Sequence, residues 1–247
     1  MKYLETKNIT KSFDGKEIIR DISIYLEKGE IVSLLGVSGS GKTTLFNIIS
    51  GLSAADSGEV FLEGESIIQK PGVVSYMLQK DLLLPYYSIL ENVSLPLVIK
   101  GKLSKKEAKE KASALFSQFG LEGTENKFPH QLSGGMRQRA AFLRTYLASD
   151  KVALLDEPFS ALDTITKNAV HRWYLDIMEK IRLSTLFVTH DIDEAILLSD
   201  RIYILSGNPG KISHEITVKA KKPRSDDFVV SEEFISYKKQ IIEALKG

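Results

Sequence analysis

The segment from Gly36 to Thr43 constrains the fold of this chain more than any other part of the sequence. It consists of Gly-Val-Ser-Gly-Ser-Gly-Lys-Thr and matches the pattern G-x-x-x-x-G-K-[ST] of a phosphate-binding loop. An apolar run interrupted only by Ser33, Ile31–Leu35, precedes it, and apolar residues at helical spacing follow it as far as Gly51. The motif is therefore expected to connect a strand buried on both faces to the N-terminus of a helix, an arrangement of α/β proteins.

The composition of this loop indicates its chemistry. Glycines allow the backbone to curl so that several amide N–H groups point inward, and the positive end of the following helix attracts anionic oxygens. Lys42 is expected to reach the β- and γ-phosphates of a nucleotide, and the Thr43 hydroxyl to coordinate Mg²⁺. A glycine-rich turn without a ligand is the structural alternative, and the match of both motif and context disfavours it. The candidate phosphate-binding residues are Gly36, Val37, Ser38, Gly39, Ser40, Gly41, Lys42, Thr43 and Thr44.

The overall composition narrows the class of protein. The 247 residues are 43% hydrophobic, which is enough for one domain, or one domain with a subdomain, to bury a core. The 33 basic and 32 acidic side chains nearly cancel, so no nucleic-acid partner is expected. Cysteine is absent, which excludes disulfides and thiolate chemistry and fits a reducing compartment. The apolar stretches are too short to span a membrane, so membrane contact is expected only through a partner.

Apolar patterns along the chain predict a mostly parallel sheet flanked by helices. Residues 3–28 alternate between apolar and polar positions, which predicts the antiparallel strands of an N-terminal β subdomain. Helical segments separate a series of short buried strands, so the fold is predicted to be an α/β phosphate-loop NTPase core. These buried strands are predicted at Ile31–Leu35, Val73–Leu78, Val152–Leu155, Leu186–Thr189 and Ile202–Leu205.

Residues 81–147 have no strand pattern and are predicted to form a helical subdomain inserted into the sheet domain. Ser104 and Glu107 make a capping box, and the apolar face of the following helix is predicted to continue to Phe119, with Gly120 as its C-cap. Apolar residues at helical spacing after Ser231 predict a packed terminal helix. The predicted divisions are a nucleotide-binding core at 1–80 and 148–220, the helical subdomain at 81–147 and a helical tail at 221–247.

An acidic pair, Asp156 and Glu157, directly follows the predicted strand Val152–Leu155. Sheets of this class present their ligands at the carboxyl ends of the strands. Asp156 is expected to hold Mg²⁺ through the water shell of the metal, and Glu157 to polarise an attacking water. An acidic pair at a strand end is common and weak evidence by itself. The spacing from the phosphate loop and the segment Pro158–Asp163 that follows strengthen the functional interpretation.

Taken together, these motifs resemble those of the ATP-binding subunits of ATP-binding cassette (ABC) transporters. The resemblance extends from about Leu4 to Lys211 and keeps the order of motifs found in that family. In this order the motifs are the phosphate loop, Gln79, Leu132–Gln138, Asp156-Glu157, Ser160–Asp163 and His190. The resemblance implies ATP hydrolysis with Glu157 as catalytic carboxylate. It further implies that Gln79 spans Mg²⁺ and the attacking water, and that His190 reaches the γ-phosphate. Outside the family register, such a glutamine is usually solvated and such a histidine usually structural.

The resemblance also implies that the chain works as a homodimer. Ser133, Gly134 and Gly135 precede a helical run and would form a second anion site, which in the family caps the γ-phosphate bound by the other subunit. Helix N-capping by Ser133 is compatible with that role. Asp163 would lie across the dimer seam. Phe13 matches the aromatic residue on which adenine stacks, although a phenylalanine beside a turn is often only part of the core.

Further stretches resemble the importer subgroup for nitrate, aliphatic sulfonates, taurine and thiamine-precursor pyrimidines, among them Val188–Ala195 and Asn208–Ile212. This resemblance implies a peripheral subunit on the cytoplasmic face of the membrane, with integral membrane permease subunits and, indirectly, a solute-binding protein as partners. The candidate docking surface consists of the stretches Leu82–Tyr87 and Ile89–Val93, with core packing of the helical subdomain as the alternative. Tyr86 departs from the tryptophan usual in the subgroup. A soluble cassette ATPase of a metal-cluster assembly scaffold is the alternative function.

Overall fold

The computed structural model describes residues 2–101, 103–149, 151–222, 224 and 226–246. Its strands in chain order are β1 (Lys2–Phe13), β2 (Lys16–Ile22), β3 (Tyr25–Glu27), β4 (Ile31–Gly36), β5 (Ser57–Leu62), β6 (Glu65–Ser66), β7 (Ser75–Met77), β8 (Val152–Asp156), β9 (Ser184–Thr189), β10 (Arg201–Ser206) and β11 (Lys211–Thr217). Its helices are α1 (Lys42–Ile49), α2 (Ile89–Ile99), α3 (Lys105–Ser113), α4 (Gly134–Ala148), α5 (Thr164–Ile181), α6 (Ile192–Leu198), α7 (Asp226–Val229) and α8 (Glu232–Lys246), with a 3₁₀ helix at Pro129–Gln131.

The larger sheet has the strand order β11-β10-β4-β9-β8-β7. Neighbouring strands run parallel throughout, except that β11 is antiparallel to β10. Every residue of β4, β8 and β9 is buried, as expected for a parallel sheet covered on both faces. These observations confirm the predicted α/β class. The strand predicted at Val73–Leu78 is shorter, because only Ser75–Met77 pairs with β8.

The smaller sheet is antiparallel, as predicted for the N-terminal segment. Its strand order is β2-β1-β5-β6, and β3 pairs with β1. Helix α1 packs between the two sheets, since Phe46 of α1 lies in one buried cluster with Ile9 of β1 and Leu34 of β4. This packing fixes the N-terminus of α1, and with it the loop that precedes the helix.

The segment between Asp81 and Ala148 contains α2, α3 and α4, and α2 packs against the other two. The capping box predicted at the start of α3 is present, because Ser104 Oγ accepts from the Glu107 N–H at 3.3 Å and the Glu107 carboxylate accepts from the Ser104 N–H at 2.8 Å. The predicted terminal helix is present as α8. Across the part of the chain that the structure describes, no helix is both long and apolar enough to cross a bilayer.

The prediction that the helix after Ser104 continues to Phe119 was wrong, because α3 ends at Ser113. The backbone N–H groups of Leu115 and Phe116 donate to carbonyls three residues back, which tightens the chain into turns. These turns bury both Phe116 and Phe119, which have exposed fractions of 1% and 0%. Gly120, with φ 65°, ends the turns and is therefore not the C-cap of α3.

Candidate active site

A cleft of about 360 Å³, the phosphate-loop cleft, lies where β4 and β8 end beside the N-terminus of α1. Gly41 precedes α1 with φ 99° and provides no side-chain cap, so the N–H groups of the first turn are left for another acceptor. A Cβ atom at Gly41 would lie 2.3 Å from a methyl group of Ile19, so only glycine fits there. The cleft is lined by Ile18, Ser38, Gly39, Gly41, Lys42, Thr43, Thr44, Gln79, Asp156 and Glu157.

The Lys42 ammonium is the cation of this cleft. Its Nζ donates to the carbonyl oxygens of Gly36 and Val37, each at 2.8 Å. Burial lowers the pKa of Lys42, and the carboxylates of Glu157 and Asp156 act against that shift. The ammonium is therefore largely removed from water and directed into the loop, where an anionic ligand would offset its desolvation.

Asp156 is the last residue of β8 and is 7% exposed. One carboxylate oxygen, Oδ2, accepts from the Thr43 hydroxyl at 3.3 Å and from the Tyr76 hydroxyl at 3.2 Å. Burial raises the pKa of Asp156 and outweighs these two hydrogen bonds, which lower it. The carboxylate is thus held by the loop on one side and by β7 on the other.

Glu157, the next residue, leaves the strand with φ 44°, and its N–H donates to the Val188 carbonyl at 3.1 Å. Its carboxylate lies between the two other predicted catalytic side chains. Gln79 Nε2 donates to Glu157 Oε2 at 3.0 Å, and His190 Nδ1 lies 3.2 Å from Glu157 Oε1. The Glu157 side chain remains 20% exposed. The structure therefore brings Glu157, Gln79 and His190 together at the edge of the cleft, where water has access to the carboxylate.

The predicted second anion site lies apart from the phosphate-loop cleft. Ser133 is exposed and caps α4, accepting from the Met136 N–H at 3.3 Å. Ser133, Gly134 and Gly135 do not line the phosphate-loop cleft, whereas Gly134 lines a larger, open cleft of about 720 Å³ that Glu157 and other residues share. Within one chain, the Ser-Gly-Gly element is therefore not part of the phosphate-loop cleft.

Two further predicted residues also lie outside the phosphate-loop cleft. Asp163 is exposed, and its carboxylate accepts from the Thr166 N–H at 3.1 Å in the first turn of α5. Phe13 is the last residue of β1 and is 50% exposed, with the Lys11 ammonium 5.3 Å from its ring centroid. Both side chains are accessible to a ligand or to a partner.

Sequence reasoning missed two residues that support the site. Tyr76 holds Asp156 from a strand that is 80 residues distant in sequence. Gly210 packs against the phosphate loop so closely that a Cβ atom there would lie 2.1 Å from the Ser40 carbonyl oxygen. The signals in the sequence were a phenol three residues before Gln79 and a glycine directly after Pro209, and neither reveals its contact without the fold.

Replacing Tyr76 with phenylalanine is expected to weaken Mg²⁺-dependent nucleotide binding. The change removes one hydrogen bond to Asp156, with an expected cost of about 1 kcal/mol, or roughly a fivefold higher Mg²⁺ requirement. Thermal melting with ATP across a Mg²⁺ titration measures this effect. Tyr86→Phe alters a phenol that is 90% exposed and is the matched control. Identical Mg²⁺ midpoints for the two variants would show that Tyr76 does not act through Asp156.

Comparison with known proteins identifies the relatives of this chain. The family model described as ABC transporter matches residues 19–160. The chain is 50% identical over 192 residues, covering 78% of this chain and 74% of the relative, to the formylaminopyrimidine import ATP-binding protein of Halalkalibacterium halodurans. It is 34% identical to the nitrate import ATP-binding protein of Synechocystis, covering 99% and 96% of the two chains. A solved dimer of the ATP-binding cassette MJ0796 with ADP and Pi has a TM-score of 0.74 at 29% identity, covering 88% of this chain and 100% of that one.

Fold and site thus define a phosphate-loop ATPase with a helical insertion. The matching family model and the identity to relatives over most of their length go further: the chain belongs to the ABC transporter family. It is an ATP-binding and ATP-hydrolysing subunit of that family. The family and the fold predicted from the sequence motifs are both confirmed.

Proposed function

We propose that this ATPase powers a membrane importer for a small solute and works as a homodimer on the cytoplasmic face of the membrane. The observation that carries the proposal is the placement of Glu157 between Gln79 and His190, at the edge of a phosphate-loop cleft that the Ser-Gly-Gly element does not reach. Relatives named for the import of nitrate, aliphatic sulfonates and formylaminopyrimidine support a solute of the nitrate, sulfonate, taurine or pyrimidine class. Those relatives serve different solutes on similar cassettes, so the permease and a solute-binding protein would select the solute.

ATP binding is assigned to the cleft and to Phe13. The triphosphate would accept hydrogen bonds from the backbone of Gly36–Thr43, while Thr44 lines the same wall. Lys42 would exchange its two carbonyl partners for the β- and γ-phosphate oxygens, since a charged acceptor stabilises a desolvated ammonium better than a carbonyl does. Adenine would stack on the exposed face of Phe13.

Mg²⁺ fits the donors of this cleft. Thr43 and Asp156 contribute a hydroxyl and a carboxylate to one point, and Gln79 lines the same cleft, so the donor set consists of oxygen atoms. An ion of this kind keeps waters and phosphate oxygens among its ligands. When bound, Mg²⁺ would neutralise charge on the phosphates.

Hydrolysis is assigned to Glu157, Gln79 and His190. The Glu157 carboxylate would accept a hydrogen bond from a water, and that water would attack the γ-phosphorus. The bond between this phosphorus and the β-phosphate oxygen would break, and a proton of the water would pass to Glu157. The Gln79 amide would orient that water, and the His190 ring would donate to a γ-phosphate oxygen. Asp156 is less suited to the task of base, because it is buried and already accepts two hydrogen bonds.

The homodimer would complete each cleft. Ser133, Gly134 and Gly135 sit at the N-terminus of α4, where N–H groups attract anions, and Ser133 is exposed. In a twofold dimer, Ser133 of the partner subunit would contact the γ-phosphate held by the first subunit, and Asp163 would lie at the seam. Bound ATP would then join the two subunits, and its hydrolysis would allow them to separate.

The permease is proposed to dock on the segment after Gln79. Leu82, Leu84 and Tyr86 are 52%, 39% and 90% exposed, which is unusual for large apolar side chains so close together in sequence. Arg137 Nε lies 3.2 Å from the Asp81 carboxylate, and the Arg144 guanidinium donates to the Leu82 carbonyl at 2.8 Å. Both arginines belong to α4, so this segment is tied to the helix that begins at the Ser-Gly-Gly element. A displacement by the permease would therefore be transmitted to that element.

Purification of the tagged chain from detergent-solubilised membranes tests the transport function. A membrane permease is expected to copurify, and Tyr86→Ser is expected to abolish its recovery without lowering the melting temperature. Leu52→Ser, at a site that is 65% exposed, is the matched control and is expected to keep the permease. Recovery of a soluble metal-cluster scaffold in place of a permease would contradict the importer assignment.

A further inference from the structure

The residues on either side of His190 belong to a largely buried polar cluster, the Glu194 cluster. Glu194 and His171 are 4% and 6% exposed, although both side chains are polar or charged. The cluster consists of Lys167 and His171 on α5, Thr189 at the end of β9, Asp191 at the N-cap of α6 and Glu194 in α6. Burying a carboxylate is costly unless donors satisfy it, so the contacts of Glu194 define the cluster.

Donors from two different elements, α5 and β9, satisfy the Glu194 carboxylate. His171 Nε2 lies 2.9 Å from Glu194 Oε1, and Lys167 Nζ lies 3.6 Å from the same oxygen. The Thr189 hydroxyl donates to Glu194 Oε2. Lys167 also pairs with Asp191 at 2.6 Å, and this hydrogen bond together with the charge of Glu194 outweighs burial and raises the pKa of Lys167.

The contacts of the His171 ring indicate its tautomer. Nδ1 is buried and has no hydrogen-bond partner within the described part of the chain, whereas Nε2 faces a carboxylate oxygen. A proton on Nδ1 would leave a buried donor unpaired, while a proton on Nε2 is bonded to Glu194. The imidazole is therefore the Nε2–H form, and it acts as a hydrogen-bond donor.

This cluster holds the residues on both sides of His190, the residue assigned to the γ-phosphate. Thr189 and Asp191 flank His190, and the Asp191 N–H donates to the Thr189 hydroxyl at 3.0 Å. Phe159 packs against His171, and the two rings meet edge-on with centroids 4.7 Å apart and planes at 80°. Because Phe159 follows Glu157 by two residues, His171 lies between the segments that carry the proposed base and the proposed γ-phosphate contact.

We propose that His171 is a positioning residue: by donating from Nε2 to Glu194, it holds Thr189 and Asp191 and thereby sets the position of the His190 ring relative to Glu157. The proposal rests on the role given to His190 above. It also links Asp163 to His190 within one subunit, because α5 starts directly after Asp163 and carries both Lys167 and His171.

A pair of substitutions separates hydrogen bonding from packing. His171→Leu fills the space without a donor, and kcat for ATP is expected to fall about tenfold with KM nearly unchanged, since small misplacement of a reacting group is costly. His171→Gln retains an N–H donor and is expected to keep most of the activity. Equal kcat values for leucine and glutamine, at similar melting temperatures, would overturn the proposal.

Ring nitrogen NMR provides a readout independent of turnover, because the chain contains 4 histidines. The His171 signals are expected to show a protonated Nε2, and His171→Leu is expected to shift the ring signals of His190 while leaving those of His130 and His214 in place. His171→Gln is expected to shift the His190 signals much less. A proton found on Nδ1, or unchanged His190 signals in the leucine variant, would contradict the proposal.

A second pair keeps the test decisive if the His171 variants fold poorly. Thr189→Val removes the hydroxyl that bonds Glu194 and Asp191, whereas Thr189→Ser retains it. Only the valine variant is expected to lower kcat and to shift the His190 signals, and equal behaviour of both would overturn the proposal. His190→Ala with full turnover would refute the role of His190, whereas the NMR shifts would still decide whether His171 positions it.

Discussion

Glu157→Gln is expected to abolish steady-state ATP hydrolysis while leaving ATP binding intact. Removing a general base lowers turnover on the order of 10²- to 10⁴-fold. Glutamine keeps an oxygen that accepts from Gln79 Nε2, so the side chain and the phosphate-loop cleft keep their geometry. The variant is measured by phosphate release for turnover and by fluorescent-nucleotide titration for affinity.

The same variant is expected to trap the closed dimer. ATP that binds but is not hydrolysed keeps both subunits joined, so size-exclusion chromatography with ATP and Mg²⁺ should show a dimer that dissociates when Mg²⁺ is chelated. Glu122→Gln, which removes a charge from an exposed turn, controls for the loss of one negative charge. Hydrolysis by Glu157→Gln at the parent rate would show that another group activates the water, and the assignment of the base would be wrong.

The elements nearest the phosphate loop were predictable because their signals are local. A parallel strand covered on both faces must be almost entirely apolar. Val152–Leu155 shows that pattern in a few residues, and so does Ile31–Leu35, in which Ser33 is the one polar residue. A loop that binds phosphate needs glycines and a lysine at fixed spacing before a helix, and these also lie within eight residues. Local sequence patterns therefore predict both the architecture of the core and the loop at which the core is expected to bind a nucleotide.

The residues that sequence reasoning missed act through contacts between distant segments. Tyr76 could have been an ordinary buried phenol, and only the pairing of β7 with β8 places its hydroxyl at Asp156. Gly210 is a glycine because it touches Ser40, far away in sequence. The end of α3 was misjudged for a similar reason, since the burial of Phe116 and Phe119 outweighs the helical pattern of that segment.

Two inactive variants, Lys42→Ala and Ser133→Phe, are expected to restore ATP hydrolysis when they are mixed. Lys42→Ala disables the phosphate loop and Ser133→Phe blocks the second anion site, so each homodimer has two broken sites. A mixed dimer joins the intact loop of one subunit to the intact Ser-Gly-Gly element of the other and has one complete site. With random pairing in equal mixture, activity should reach about a quarter of the parent value.

Ser133 is exposed and outside the phosphate-loop cleft, so the proposal cannot hold unless the site is shared between subunits. Ser133→Ala removes the helix cap without adding bulk, and its milder effect, about 1 kcal/mol of stability, separates capping from obstruction. A mixture of Lys42→Ala with the double variant Lys42→Ala/Ser133→Phe must stay inactive, because no subunit in that mixture has an intact phosphate loop. Differently tagged copies verify that subunits exchange. If the mixture of Lys42→Ala and Ser133→Phe hydrolysed no ATP despite exchange, or if Ser133→Phe alone were fully active, each subunit would hold a complete site.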